Sequence, residues 1–332
     1  LIPYLKRIET AGWYSNEGPL VTSLERRCAG FVGMPCHAVA NATLGLQIAL
    51  QALGIQHGHT VLVPAMTFAA SGLAISRAGF SASYTDIDKD SWQLEPYIVE
   101  ELISRGFKPD AVMPVATFGA PVSDEWRKFA EKHPDIQVVI DAAGAFTEMG
   151  QNFSPLLHFV YSLHATKFVG CGEGGLIASR DHIVMGRARN LSSFVGDQAT
   201  NAKMSEYHAA VAHASLDMLN AKRLASINVA RQYAAWLPKS VRTPYVRDRV
   251  MLPILLPEGT NAAEVKAKML ADEIETKQWY RPFLDERAGM RTDLFPVTDM
   301  LRQRMLGIPY HYALTPAEIE QVCASLERAI HG

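Results

Sequence analysis

Short apolar, β-branched runs alternate with helical patterns through the first half of the chain. Leu44 to Leu53 has the periodicity of an amphipathic helix and stops at Gly54, a residue suited to a helix C-terminus. Thr60 to Val63 predicts a short strand, followed by a helix-like stretch from Ala69 to Ala78. Ala82 to Thr85 predicts another strand, closing on Asp86-Ile87-Asp88. Ala111 to Val115, Val138 to Ile140 and Leu176 to Ala178 continue the series of short buried strands. This alternation predicts an α/β fold, with a largely parallel sheet and helices on both faces.

The second half reads differently. Ser205 to Leu237 is Ala-rich with few breakers and predicts a long helical region. Arg242 to Leu256 and the segment from Asn261 suggest a smaller strand-and-helix unit. After Pro309, the run Leu314-Thr315-Pro316-Ala317-Glu318 predicts a turn into a terminal helix, with Thr315 as cap and Pro316 in the first turn. The expected organisation is a large domain over 1–225 and a small C-terminal domain over 226–332.

Composition narrows the classes. The 332 residues are 48% hydrophobic and 20% charged, ample for a buried core. With 32 basic against 34 acidic residues, no global field points to nucleic acid or to an anionic membrane surface. No apolar run reaches the length of a bilayer span, and the opening Leu1-Ile2-Pro3-Tyr4-Leu5-Lys6 lacks the plan of a signal peptide. Cys28, Cys36, Cys171 and Cys323 form no CxxC pair, so they read as buried thiols rather than zinc ligands or staples. A cytoplasmic location is expected by elimination.

Sheets of this kind bind ligands at the carboxyl ends of their strands. Asp141 ends the run Val139-Ile140 and is followed by small residues, a placement suited to a carboxylate beneath a protonated pyridine nitrogen. The same Asp fits a helix cap, and the residues alone leave both open. Lys167 closes Ser162-Leu163-His164-Ala165-Thr166-Lys167 and precedes Gly170-Cys171-Gly172-Glu173-Gly174-Gly175. A lysine with little charge around it is suited to imine formation with an aldehyde cofactor, and Ser162 to phosphate binding. Ala40-Asn41-Ala42-Thr43 opens a helix, where backbone N–H groups and the Thr43 hydroxyl favour a phosphate; Asn41 or Thr43 equally suits an ordinary cap. Phe68, just past a strand, is placed either to lie over a flat ring or to pack in a core.

In combination and in order, these features resemble the fold-type-I enzymes that use pyridoxal 5′-phosphate. The details resemble the DegT/DnrJ/EryC1/StrS family of sugar aminotransferases. The likeness runs through Gly12-Trp13-Tyr14-Ser15-Asn16-Glu17-Gly18-Pro19, Asn41-Ala42-Thr43, Thr67-Phe68, Asp86-Ile87-Asp88, Phe118-Gly119, Asp141-Ala142-Ala143, Ser162 to Lys167, Gly172-Glu173-Gly174-Gly175, Asn201 to Met204 and Tyr280-Arg281-Pro282. The resemblance implies that Lys167 carries the cofactor as a Schiff base and moves protons. It implies that Asp141 pairs with the pyridinium, Phe68 stacks on the ring, and Ala42, Thr43 and Ser162 hold the phosphate. Asn201 is expected to reach that phosphate from the other subunit, making a homodimer part of the site. The implied reaction moves an amino group, with glutamate as donor, to a nucleotide-linked keto sugar in polysaccharide or natural-product biosynthesis. Alternatives are a sugar dehydratase, in which histidine typically replaces the lysine, and a non-catalytic cofactor-binding regulator. One departure stands out: where the family has Gln or His contacting the ring oxygen, three residues after the aspartate, this chain has Gly144. Lys203, where Arg is common, is a milder one. His164, three positions before Lys167, suits either a contact with the site or simple packing; His311, between Tyr310 and Tyr312, is a candidate catalytic residue; and Arg281 or Lys277 is a candidate to meet a phosphorylated or carboxylated substrate.

Overall fold

The structure, a computed structural model, describes residues 1–146, 154–244 and 249–332. Its larger sheet contains β1 (Cys36–Val39), β2 (Thr60–Pro64), β3 (Ser81–Thr85), β4 (Ala111–Val112), β5 (Gln137–Asp141), β6 (Leu157–Ser162) and β7 (Gly175–Ala178). Their order is β1-β7-β6-β5-β4-β2-β3. The β6, β5, β4, β2 and β3 neighbours pair in parallel, while β7 runs antiparallel to both β6 and β1. The fold is the mixed, mostly parallel α/β architecture that the alternating pattern predicts.

Strand periodicity divides the core. Val138 and Ile140 join one apolar cluster, with Leu62, Phe159 and Trp126, while Val139 joins the opposite one, with Val61, Val63 and Ile48. Successive side chains of a strand point to opposite faces, so a sheet covered on both sides needs continuous apolar runs. The edge strand β3, Ser-Ala-Ser-Tyr-Thr, is the more polar and exposed one.

The structure differs from the sequence expectation in three places. The strand expected over Ala111 to Val115 is regular only at Ala111–Val112, with one further bridge between Val115 and Asp141; Pro114 between them has no N–H to donate. The long helical region is two helices, Glu206–Asp217 and Leu219–Trp236, broken at Met218. β1 and β6 lack a clean strand signal because His37 and His158 interrupt their apolar runs, yet both histidines are buried and hydrogen-bonded.

The second sheet pairs β8 (Leu252–Leu255) with β9 (Met305–Ile308) in antiparallel fashion. Residues 245–248 of the expected Arg242 to Leu256 segment lie outside the described residues. Leu252, Ile254, Leu306 and Ile308 share a core with Val229, Tyr233, Met269 and Leu326 of the surrounding helices. Thr315 caps the terminal helix as expected: it accepts from Glu318 N at 3.3 Å, while Glu318 Oε2 accepts from Thr315 N at 2.7 Å. The two parts meet where Met66, Trp92 and Phe118 pack on Leu255, Phe283 and Leu301. Asp86 fastens that junction by accepting from Val297 N and Thr298 N at 2.7 and 2.9 Å.

Glu25, on the helix Pro19–Val32, ties β1 to the helix His182–Ser192. Its carboxylate accepts from Ala38 N at 2.8 Å, and His37 Nδ1 and Arg189 Nη2 lie 2.9 and 2.7 Å away. Burial works to raise its pKa, but His37, Arg189 and the Ala38 N–H outweigh it and hold the group below its ordinary value of 4.5. A carboxyl whose pKa falls on folding contributes stability above its unfolded value, and that stability is lost as pH drops through the folded value. Glu25→Gln is therefore expected to be less stable near neutrality. Its unfolding midpoint in denaturant should also vary less than that of the unsubstituted protein between about pH 5 and about pH 3.

Candidate active site

Asp141 is the last residue of β5, and only 4% of its surface is exposed. Its Oδ2 accepts from Ser71 Oγ at 2.7 Å and its Oδ1 from Ala143 N at 3.1 Å. Ser71 Oγ also lies 2.9 Å from Thr67 Oγ1, one helical turn earlier. The carboxylate thus closes a local turn rather than capping a helix. Burial raises its pKa, and the Ser71 and Ala143 bonds with the charge of Lys167 only partly reverse this. Its charge is incompletely compensated by the chain itself.

Lys167 follows β6 in a compact loop. Leu163 N and Ala165 N donate to Gly174 O and Gly172 O, both at 2.9 Å, and Lys167 N donates to His164 O at 2.9 Å. Gly170 is needed here, since a Cβ on it would lie 2.6 Å from Ala165 O. The Lys167 side chain is half-buried. Burial lowers its pKa while Asp141 acts to raise it, so the two groups feel each other across the site. A desolvated amine holds its proton less tightly and is the better nucleophile.

The third corner is the helix Ala42–Ala52. Asn41 is its cap, accepting from Leu44 N at 2.9 Å. The N–H groups of Ala42 and Thr43 therefore open the helix without intrahelical partners. Two glycines draw this helix onto the sheet. A Cβ on Gly45 would lie 2.9 Å from Val160 Cγ1, and one on Gly175 would lie 2.7 Å from Ala42 N. Gly175 is in register with Ser162 on one side and Val39 on the other. Ser162, Ala42 and Thr43 are consequently gathered around one strand end, although 120 residues separate Ala42 from Ser162 in sequence.

Phe68 precedes the helix Ala69–Arg77 and is 59% exposed, so the packing alternative does not describe it. Asn201 is exposed in a left-handed conformation, φ 52°, and its side chain accepts from Lys203 Nζ. Its neighbour Ala202 is held beside the phosphate-type corner, its carbonyl accepting from Ala40 N at 2.7 Å. His164 Nδ1 is 2.9 Å from Thr166 Oγ1, and His311 is exposed in the turn before the terminal helix. Arg281 pairs with Glu286 at 2.7 Å, and Lys277 lies over the Trp279 ring at 4.9 Å. Ser71 as a partner of Asp141, and Tyr280 as the ring that meets Phe68 edge-on at 5.8 Å, were not evident from sequence. Ser71 has a legible signal in the four-residue spacing from Thr67, whereas nothing local marks Tyr280 as a neighbour of residues near Asp141.

Pyridoxal 5′-phosphate fits this donor set. A buried carboxylate short of compensation suits its ring nitrogen, a desolvated lysine its aldehyde, an exposed aromatic its flat ring, and a helix start with a serine its phosphate. Among the described residues, no group of three or more His, Cys, Asp or Glu is arranged to hold a metal ion, and no helix is long and apolar enough to cross a membrane.

Comparison with known proteins agrees with the geometry. The chain is 28% identical to UDP-2-acetamido-2-deoxy-3-oxo-D-glucuronate aminotransferase of Pseudomonas aeruginosa, over 93% of this chain and 90% of that protein. It is 28% identical to GDP-perosamine synthase of Caulobacter vibrioides, over 96% of this chain and 92% of that protein. The crystal structure of DesI in the presence of its TDP-sugar product superposes with a TM-score of 0.88 at 28% identity, covering 99% of this chain and 89% of that one. The family model for the DegT/DnrJ/EryC1/StrS aminotransferases matches residues 1–327, and the chain belongs to that family.

Proposed function

We propose that this aminotransferase moves an amino group to a keto sugar carried on a nucleotide, with pyridoxal 5′-phosphate as cofactor and glutamate as donor. The observation that carries the reading is buried Asp141 at the end of β5 with half-buried Lys167 on the loop after neighbouring β6, near enough for each to feel the other's charge. The relatives in Pseudomonas aeruginosa and Caulobacter vibrioides support a nucleotide-sugar substrate.

When bound, the cofactor supplies an aldehyde and an electron-withdrawing ring. Asp141 would face the ring nitrogen and favour its protonated form, and Ser71, whose bond works against the burial penalty, would keep the carboxylate aimed. Lys167 Nζ would hold the cofactor through its aldehyde and would carry the proton in each half-reaction. Phe68 would cover one face of the ring, while Ala42, Thr43 and Ser162 would hold the phosphate. Asn201 reaches the phosphate of a second copy of the chain, so that the working enzyme is a homodimer.

Three outcomes follow. Lys167→Ala should keep the fold, by far-UV circular dichroism, but lose roughly a thousandfold in turnover and take up no borohydride-fixed cofactor. Turnover close to that of the unsubstituted protein would remove Lys167 from the reaction. Ser71→Ala removes a bond to a charged acceptor worth about 1.5–3 kcal/mol. Equilibrium dialysis should then show cofactor affinity falling roughly ten- to hundredfold. Finally, UDP-, GDP- and dTDP-linked keto sugars, each incubated with glutamate, should include one that yields an amino sugar and equimolar 2-oxoglutarate. Release of 2-oxoglutarate with simple keto acids alone would sink the sugar assignment.

A further inference from the structure

Gly144 stands three residues after Asp141, and its backbone is pressed against Gly119. A Cβ on Gly144 would lie 2.9 Å from Gly119 N, and one on Gly119 would lie 2.6 Å from Gly144 O. Phe118 and Gly119 form a left-handed turn, with φ 55° and 83°. A longer residue at 144 therefore requires this turn to move. The wall of the site at this point carries no side chain from position 144.

The turn instead presents the Phe118 ring, and Tyr280 stacks on it with centroids 5.3 Å apart and planes 17° from parallel. Tyr280 also meets Phe68 edge-on at 5.8 Å and 67°. It thus lies between the exposed Phe68 and the wall that includes Gly144. Its chain segment comes from the far end of the sequence and packs beside Met251, Trp279 and Phe283. The hydroxyl's side-chain partner is Met251 Sδ at 3.9 Å, a soft and weak acceptor.

We propose that Tyr280 contacts the cofactor directly, donating its phenolic hydrogen to the ring oxygen at the position a side chain on residue 144 leaves open. The proposal rests on the functional reading above. Burial first, and the nearby Asp141 carboxylate second, push the Tyr280 phenol above its ordinary value, against a backbone contact with Phe118. The group therefore remains a donor through the working pH range. A donor on the ring oxygen favours the anionic oxygen without help from the adjacent lysine-derived nitrogen, which makes that nitrogen less basic.

The experiment is a spectrophotometric pH titration of the full-length protein loaded with pyridoxal 5′-phosphate, comparing the unsubstituted chain with Tyr280→Phe. Phenylalanine keeps both ring contacts and removes only the hydroxyl. The pH midpoint of the visible band should rise by about one unit, a tenfold change in proton affinity. An unmoved midpoint would overturn the role of Tyr280. Borohydride reduction and peptide mapping of both proteins separate this inference from the one beneath it. An unlabelled Lys167 in the unsubstituted protein would defeat the functional reading itself, whereas a labelled Lys167 with coincident titration curves would defeat only the tyrosine.

Discussion

A carboxylate removed from water must be met by donors or by a positive charge, and Asp141 at the end of β5 is met only in part. Ser71 and one backbone N–H satisfy two of its acceptor positions. An isolated buried carboxylate costs far more than two such bonds return. That imbalance leaves this strand end suited to a cationic partner. The arrangement around the carboxylate follows from keeping it buried, oriented and ionised.

The sheet supplies the burial. β5 is flanked by β4 and β6, and its side chains feed both apolar layers, so its last residue emerges from a packed core. Parallel neighbours bring their carboxyl ends to the same edge. Lys167, on the loop after β6, is therefore delivered next to Asp141 by one strand spacing. The antiparallel β7 does something different. It starts at Gly175, where the missing side chain lets the start of the helix Ala42–Ala52 lie against the strand, beside the residue in register with Ser162. One glycine thereby joins the phosphate-type corner to the lysine loop.

The second, smaller core contributes by contact. Asp86 caps the helix Pro296–Arg304 from across the junction, and Met66, Trp92 and Phe118 pack on residues of the C-terminal part. Tyr280 and Phe283 belong to this junction, Phe283 within its apolar cluster and Tyr280 packed against it. The shared wall also explains how Gly144 is tolerated. The space beside it is bounded by Phe118 and by a ring from the C-terminal part.

Sequence alone determined the alternation of strands and helices, the strand end on which Asp141 lies, the glycine-rich loop after Lys167 and the capped terminal helix. These are local matters of periodicity, cap chemistry and glycine placement, and they are written within a few residues of each other. The order and direction of the strands, the break at Met218, the buried histidines of β1 and β6, and the partnership of Ser71 with Asp141 were decided by tertiary structure. So was the meeting of Tyr280 with Phe68 and Phe118, which are 212 and 162 residues away in sequence. Such contacts depend on which surfaces exclude water together, and a hydroxyl or a phenol carries no local sign of the neighbour it will find. Gly144 makes the point most directly: in sequence it is an absence, and in the folded chain it is a backbone contact with Gly119.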